Sequence, residues 1–391
     1  MQFRTLPIFF AFLAMGVADA MGPLSDAVQR DYKLSNVMAT LLSFFVFIAF
    51  AVFSVPGGLL AARIGKKKLL LLGLALNALA MLIPSVVAPG FALLLSCIFV
   101  LGVGTTFLQV AGNPIMRDVS PAGAYSSNLA FAQGIKGLGS TASTWLVSAV
   151  ASIALFKSMG WRGTFPVFCI LMAVTFLLIG ILKIDEAKAD VPPSIGSCLS
   201  LLGEPVFLMA VIGIFLYVGA EVCMARFLNP ALTEAGFTDA EVAKYGAATF
   251  FMCLTIGRLV GGGVAKVMSP RAFFRLSALL GLIGGGILLT GSRALAIPGV
   301  LASGLGFANI WPMLFSITVE EKPERASELS GLMVMAISGG ALVPLLMGQL
   351  RDMKMGAMSF IVPAACFAYL LAISMRGGHK PAAAPAVAAK A

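Results

Sequence analysis

The sequence predicts an all-α membrane protein with twelve transmembrane helices, arranged as two pseudo-symmetric halves of six helices each. Three observations support this prediction. Of the 391 residues, 59% are hydrophobic and 11% are charged, whereas soluble domains carry about 25% charged residues. Apolar segments of about 20 residues, the length at which a helix crosses a bilayer, recur along the whole chain. Short motifs of the first half also return in the second half.

The predicted spans follow these apolar segments in order. The first resembles a secretory signal, with Ala-Asp-Ala at residues 18–20 as a possible cleavage site. We expect it to be retained, because the helix runs on through Met21–Leu24 and equally apolar segments follow. The twelve spans are 6–28, 36–61, 69–88, 91–115, 125–151, 163–183, 205–228, 244–265, 273–291, 295–317, 328–350 and 357–375.

The longest polar connection divides the chain into two halves. Residues 184–204, which include Pro192 and Pro193, are predicted to form a cytoplasmic linker between an N-terminal half (1–183) and a C-terminal half (205–376). Residues 377–391 are rich in Ala and Pro and are predicted to form a disordered tail.

The two halves also resemble each other in sequence. At an offset of about 202 residues, Asp19 matches Glu221 and Lys136 matches Ser338. Internal repeats of this kind are common in secondary transporters, whose substrate site lies between the halves at mid-membrane.

Basic residues set the predicted orientation. With both termini in the cytoplasm, sixteen Lys and Arg residues fall in cytoplasmic segments and eight in outer loops, the bias expected of a bacterial inner-membrane protein. Lys136, Arg226 and Arg258 fall within spans. The net charge of +10 therefore belongs to loops at the membrane, and no nucleic-acid partner is expected. The expected partners are the lipid bilayer and a small molecule, and the chain is expected to be a monomer.

Several chemistries are not expected. The six cysteines form no CxxC pair and five of them lie in apolar spans, while the one histidine is His379 in the tail. We therefore expect no metal site, no cofactor and no enzymatic activity. The chain has no GxxxxGK[ST] motif, so it is not expected to use ATP.

One charged residue lies near the middle of the fifth span. Lys136 follows Gln133 by three residues, about one helical turn. A lysine at this depth is costly unless a partner or water compensates it. Two interpretations stay open: Lys136 lines or gates a polar cavity, or it forms a structural pair without ligand contact.

The loop after the second span carries a basic motif. Residues 57–70, GGLLAARIGKKKLL, resemble the signature loop of the major facilitator superfamily. Arg63 and Lys67 match it, and the resemblance implies a gating or structural role for both. Ala62 stands where that family usually has an aspartate. The alternative is a basic turn that only anchors the loop at the headgroups.

Three further segments narrow the resemblance. They are LQVAGNPIM (108–116), YVGAEVCMARFL (217–228) and SGLMVMAISGGALVPLLMGQLRD (330–352). They resemble the fucose:proton symporter family, which includes fucose, glucose/galactose and N-acetylglucosamine permeases. The resemblance implies the major facilitator fold and cation-coupled sugar transport, with H⁺ or Na⁺ as the coupling ion.

The resemblance also implies substrate-binding residues in the first half. That family has a glutamate in span four, five residues before a proline, and Gln109 stands there before Asn113 and Pro114. Glutamine can bind a hydroxyl but cannot carry a proton. In span five Gln133 fits the family pattern, while Lys136 replaces a neutral polar residue.

Asp19 is the predicted partner of Lys136, because spans one and five are neighbours in the superfamily fold and both residues lie at mid-membrane. Removing one member of such a pair leaves a costly lone charge. Protonation of Asp19, or binding of a cation or substrate, would free Lys136 and couple transport to the ion. A static pair and the absence of contact are the alternatives.

The second half supplies the remaining candidates. Glu221 is interpreted as a coupling or hydroxyl-binding acid, with pairing to Arg226 or a packing role as alternatives. Arg258 is expected to snorkel or to hold helix ends near the cytoplasmic side. Asn309, Trp311 and Tyr217 are candidates for sugar binding, through an amide, an indole face and a phenol respectively. Core packing is the alternative for both aromatic residues.

The sequence thus predicts a symporter that moves a sugar, such as a hexose or amino sugar, by alternating access. The main alternative is a symporter of an anionic solute, a carboxylate or acidic sugar, bound through Lys136. Drug antiport is less favoured, because span five lacks the GP-centred motif of those transporters. A non-transporting sensor and a membrane enzyme are further, weaker alternatives.

Overall fold

The structure is a computed structural model that describes residues 5–17, 21–150, 153–184, 186 and 194–376. In that part of the chain all regular structure is helical. Short 3₁₀ helices cover Ala154–Gly163, Leu201–Gly203, Pro323–Arg325, Ala336–Ser338 and Gly356–Phe360. The α-helices are α1 Leu6–Met15, α2 Met21–Tyr32, α3 Asn36–Ile64, α4 Lys66–Val86, α5 Phe91–Val119, α6 Tyr125–Ala149, α7 Thr164–Ile181, α8 Ile195–Ser200, α9 Pro205–Glu234, α10 Asp239–Tyr245, α11 Ala247–Val264, α12 Pro270–Leu289, α13 Arg293–Ala308, α14 Ile310–Glu321, α15 Ala326–Met335, α16 Gly339–Asp352 and α17 Ile361–Met375.

The all-α membrane class is confirmed. Ten helical segments in the described residues are long and apolar enough to cross a bilayer. The other two predicted spans are consistent with a count of twelve. The first is represented by α1 and α2, on either side of residues 18–20, which lie outside the described residues. The fifth is α6, an unbroken helix of 25 residues that is less apolar because it is rich in Gly, Ser and Thr.

The predicted repeat is visible in the helix bounds. The bounds of α5 moved by 202 residues are those of α13 and α14 taken together. The two halves differ in continuity, because α5 is unbroken whereas its counterpart is interrupted at Asn309. The interruption lies three residues before Pro312. Within the predicted linker, α8 and the turn after it occupy residues 195–203.

Two prolines leave backbone carbonyls without their helical donor. A proline lacks the N–H that would bond the carbonyl four residues earlier, so Pro114 orphans Val110 and Pro312 orphans Ala308. Ser330 Oγ donates to the Val110 oxygen at 2.8 Å, and the guanidinium of Arg258 satisfies the Ala308 oxygen. Side chains of other helices therefore supply the missing hydrogen bond to each of these two carbonyls.

The two halves pack closely along two pairs of helices, α3 with α15 and α6 with α11. Small residues permit this approach. A Cβ atom at Gly58 would lie 2.6 Å from the carbonyl oxygen of Ser327, and one at Gly134 would lie 2.6 Å from the Leu259 side chain. Gly58 is therefore required where the halves touch, whereas a larger residue at Gly134 would displace the Leu259 side chain.

Candidate functional site

One end of the molecule is defined here as the Gly65 face: the α3–α4 turn at Gly65 with the nearby ends of α5, α14 and α15. Side chains on this face and just below it join the two halves. Ser126 Oγ donates to Ser316 Oγ at 2.8 Å, and Ser127 Oγ donates to the Gly262 oxygen at 2.5 Å. Arg117 and Glu320 form an ion pair at 2.8 Å. These contacts hold the halves together at the Gly65 face.

The basic motif of the Gly65 face is anchored by carboxylates from elsewhere in the chain. Lys66 is buried and pairs with Asp118 at 2.5 Å. Glu186 of the linker accepts the backbone N–H groups of Lys66 and Lys67 at 2.5 and 2.9 Å, a favourable place for an anion because it is a helix N-terminus. Glu186 thus supplies a carboxylate to a loop that has Ala62 where the family usually has an aspartate. The sequence did not predict this contact.

The two residues predicted to gate or stabilise this loop lie on either side of the turn at Gly65. The Lys67 ammonium donates to the carbonyls of Gly180 and Leu182 at 2.8 and 2.7 Å, so it caps the end of α7. Arg63 is exposed in the last turn of α3. Lys67 therefore has a structural contact within the first half.

The first half contains a buried polar cluster between α5 and α6. Gln133 Nε2 donates to Asn113 Oδ1 at 3.1 Å, and Asn113 Nδ2 donates to the backbone oxygen of Gln109 at 2.8 Å. All three side chains are at most 5% exposed. Tyr125, which the sequence did not single out, donates to the backbone oxygen of Asn113 at 3.1 Å. The structure thus brings together the three polar candidates of spans four and five.

Lys136 lies on α6 at about 16 Å from the start of that helix. Its side chain is half-buried, and no acidic group of the described residues lies within ion-pair distance of it. Gly137 faces Thr255 of α11, while the backbone of Lys136 contacts Gly16 at the end of α1. Lys136 therefore lies where α1, α6 and the second half meet. Asp19, its predicted partner, is outside the described residues.

The second half holds a charged cluster at Arg258. Its Nε donates to the Ala308 oxygen at 3.1 Å, and one terminal nitrogen donates to Tyr217 Oη at 2.9 Å. That nitrogen also lies 3.7 Å from a Glu221 carboxylate oxygen. The guanidinium is buried and binds the end of α13, so Arg258 holds a helix end rather than snorkelling.

The pairing of Glu221 with Arg226 is therefore wrong for the described structure. Arg226 is exposed and lies over the Phe227 ring at 5.7 Å. Five residues along a helix correspond to about 140° of rotation, so the two side chains point in different directions. Arg258, on another helix, takes the place beside Glu221.

Asn309 forms the interruption between α13 and α14, and Trp311 lies in the first turn of α14. Asn309 Nδ2 donates to the Gly257 oxygen at 2.9 Å, which uses one of its two amide protons. Asn309 Oδ1 and Trp311 Nε1 are buried without a hydrogen-bond partner among the described residues. The Trp311 ring stacks on Phe315 at 5.9 Å. Buried polar atoms normally have a hydrogen-bond partner. The Asn309 oxygen and the Trp311 N–H therefore remain as one acceptor and one donor for a ligand at this break.

Comparisons with known proteins identify the fold. The family model of the Major Facilitator Superfamily matches residues 8–345. The chain is 30% identical over 355 residues to a glucose/galactose transporter of Brucella abortus, covering 88% of this chain and 86% of that protein. It is 23% identical over 397 residues to the L-fucose-proton symporter of Haemophilus influenzae, covering 92% of each.

A solved structure agrees with these relatives. A variant of the E. coli fucose:proton symporter FucP superposes with a TM-score of 0.82 at 19% identity, covering 95% of this chain and 98% of that one. This likeness concerns the fold, while the matched family model covers most of the chain. The chain belongs to the Major Facilitator Superfamily.

Proposed function

We propose that this protein is a proton-coupled symporter of a sugar, such as a hexose or amino sugar, that works by alternating access. The observation that carries the proposal is the placement of buried polar side chains in both halves, on either side of an interface that is closed at the Gly65 face. Gln109, Asn113 and Gln133 would bind hydroxyls from one half, and Asn309, Trp311 and Tyr217 from the other. Relatives named as glucose/galactose transporters and L-fucose-proton symporters support both a sugar substrate and coupling to protons.

The proposal includes an orientation. The Gly65 face would be cytoplasmic in a bacterial inner membrane, with both termini inside, because it carries the basic turn at Lys66. The closed interface would then separate the binding residues from the cytoplasm. The two halves, 1–183 and 205–376, would rock as units about that site, with residues 184–204 as cytoplasmic linker and 377–391 as tail. One monomer would suffice.

Coupling in the first half is assigned to Asp19 and Lys136. Gln109 cannot carry a proton, so the first half needs another titratable group at this depth. An Asp19 carboxylate would compensate the half-buried Lys136, and protonating it would release the ammonium toward the site. Arg63 and Lys67 would stabilise the loop that moves with this half, and Glu221 would serve as the acid of the second half.

A second candidate function is symport of an anionic solute, a carboxylate or acidic sugar. It is favoured by one observation, that the Lys136 ammonium has no carboxylate partner among the described residues. A cation held at mid-membrane would then be neutralised by the substrate itself.

Uptake by purified protein in liposomes tests these proposals. Radiolabelled hexoses, amino sugars and sugar acids are offered under separate proton and sodium gradients. We expect a neutral sugar to accumulate under the proton gradient. Equal uptake with and without a gradient would contradict symport. Uptake of a sugar acid in preference, abolished in Lys136→Gln, would favour the second candidate.

A further inference from the structure

Arg258 contacts the interrupted tenth span, and the function proposed above gives this contact no role. Two hydrogen bonds of opposite direction connect α11 with the break. Arg258 Nε donates to Ala308 O at 3.1 Å, and Asn309 Nδ2 donates back to Gly257 O at 2.9 Å. A Cβ atom at Gly257 would lie 2.7 Å from the Ala308 Cβ atom, so the backbones are as close as glycine allows.

The break depends on Arg258 because Pro312 cannot supply the missing donor. The proline ring has no N–H for the Ala308 carbonyl, and a carbonyl without a donor is costly in a membrane interior. A cation at the carboxyl end of α13 is also favoured by the helix dipole. Arg258 is 8% exposed, so its charge needs a compensating anion, which Glu221 provides at 3.7 Å.

Glu221 is the more exposed member of this ion pair. Its side chain is 22% exposed, against 9% for Arg258. Arg258 is the one charged group that the described helices around α9 bring within ion-pair distance of it, and Tyr217 is its titratable neighbour on the same helix. The charged residues of the other helices packed on α9 lie at helix ends or in loops: Asp239, Glu241, Lys244, Arg293, Glu320, Glu321, Glu328, Arg351 and Asp352.

We propose that Glu221, Arg258 and the Ala308 carbonyl form a proton-controlled latch on α14. With Glu221 charged, Arg258 stays at Ala308 and the break is fixed. Protonation of Glu221 removes the anion, and the guanidinium leaves the carbonyl for a more polar position. The break then becomes a hinge. Because α14 carries Trp311 and also Ser316, this hinge connects the proton to the substrate site and to the contact with Ser126 at the Gly65 face.

This inference rests on the proposed symport, and it makes Arg258 a positioning residue that acts through α14. The test compares the wild type with Glu221→Gln in liposomes, measuring sugar exchange at pH 5.5 to 8.5 relative to the rate of each protein at pH 7. Glu234→Gln is the matched control, because it makes the same change on α9 at the outer ion pair with Arg351.

We expect wild type and Glu234→Gln to change exchange rate several-fold across this pH range, and Glu221→Gln to change several-fold less. The change that remains in Glu221→Gln is assigned to Asp19 of the first half. Glu221→Asp should keep a pH dependence with a shifted midpoint, which serves if the glutamine variant does not fold. A pH dependence in Glu221→Gln equal to wild type, or an unchanged midpoint in Glu221→Asp, would overturn the latch.

A second readout separates the latch from the transport proposal. In a Trp145→Phe, Trp161→Phe background, Trp311 is the remaining tryptophan. Its fluorescence without substrate should titrate with pH, and adding Glu221→Gln should remove that titration. If the wild type shows no gradient-driven uptake but Trp311 titrates through Glu221, symport fails and the latch stands. If uptake is coupled but the titration persists in Glu221→Gln, the latch fails alone.

Discussion

In the first half, one lysine carries a charge that is costly at its depth in the membrane. Lys136 lies at mid-span and half-buried, and its charge must be offset by a carboxylate, by water or by substrate. The described part of the chain supplies no such carboxylate, although Asp19 lies three residues beyond Gly16, which contacts the Lys136 backbone. The balance between a protein partner and a substrate anion therefore decides which of the two candidate functions applies.

A double-mutant cycle tests the Asp19–Lys136 pair. If the residues pair, Asp19→Asn and Lys136→Gln should each lower the thermal midpoint in detergent, and the double variant should recover most of the loss. Breaking a fully buried pair costs roughly 3–5 kcal/mol, and the half-exposed Lys136 should give less. The control combines Asp19→Asn with Lys68→Gln, an exposed lysine, and should be additive. Additive losses in the test cycle would show that the two residues do not pair.

Sequence reasoning found the charged residues of the spans but not their partners. Lys136, Glu221 and Arg258 stand out because a charge in an apolar helix is rare. Their contacts depend on which helices are adjacent, and α9 and α11 are brought together by packing rather than by spacing. Lys66 with Asp118 was missed for the same reason, since 52 residues separate them.

At the level of elements, prolines connect sequence to structure most directly. The position of a proline identifies the carbonyl that it orphans, four residues earlier. The donors that satisfy Val110 and Ala308, Ser330 and Arg258, come from other spans and could not be predicted. The interruption at Asn309 follows from the same cause, but its place before Pro312 depends on the bonds made by the neighbouring α11.

Removing the donor at Val110 should weaken the structure measurably. Ser330→Ala leaves this buried carbonyl without a donor, and we expect a loss of about 1–2 kcal/mol in unfolding free energy. The measurement is chemical unfolding in mixed micelles. Ser374→Ala is the control, because that buried hydroxyl bonds the Leu371 carbonyl within its own helix turn. Equal losses in the two variants would contradict a special role for Ser330.

The linker helix α8 offers a test of docking at the Gly65 face. Cys198 is buried on α8, its Sγ lies 3.7 Å from the Glu328 backbone oxygen, and burial raises its pKa to about 12. The reactive form is the thiolate, so a variant with Cys198 as its one cysteine should react with maleimide very slowly at pH 7 and rapidly after denaturation. Ser200→Cys, exposed on the same helix, should react rapidly in the native protein. Fast labelling of native Cys198 would mean that α8 does not stay docked.

At the scale of the molecule, the sequence predicted two halves and an offset, and the helix bounds follow that offset. It could not predict which face is closed, because closure is a property of how the two halves pack. In the structure Ser126 and Ser316 lie 2.8 Å apart across the halves, whereas Ser120 and Asn128 lie 2.9 Å apart within the first half. Alternating access makes opposite predictions for these two pairs.

Cross-linking distinguishes them. In a chain whose native cysteines are replaced, Ser126→Cys with Ser316→Cys should form a disulfide under copper phenanthroline, because the side chains are already in contact. The bond would hold the Gly65 face closed, so sugar uptake should fall at least tenfold and return with dithiothreitol. Ser120→Cys with Asn128→Cys should cross-link as readily and leave uptake unchanged, because each half moves as a unit. Full uptake with the first pair oxidised would mean that the Gly65 face need not open during transport.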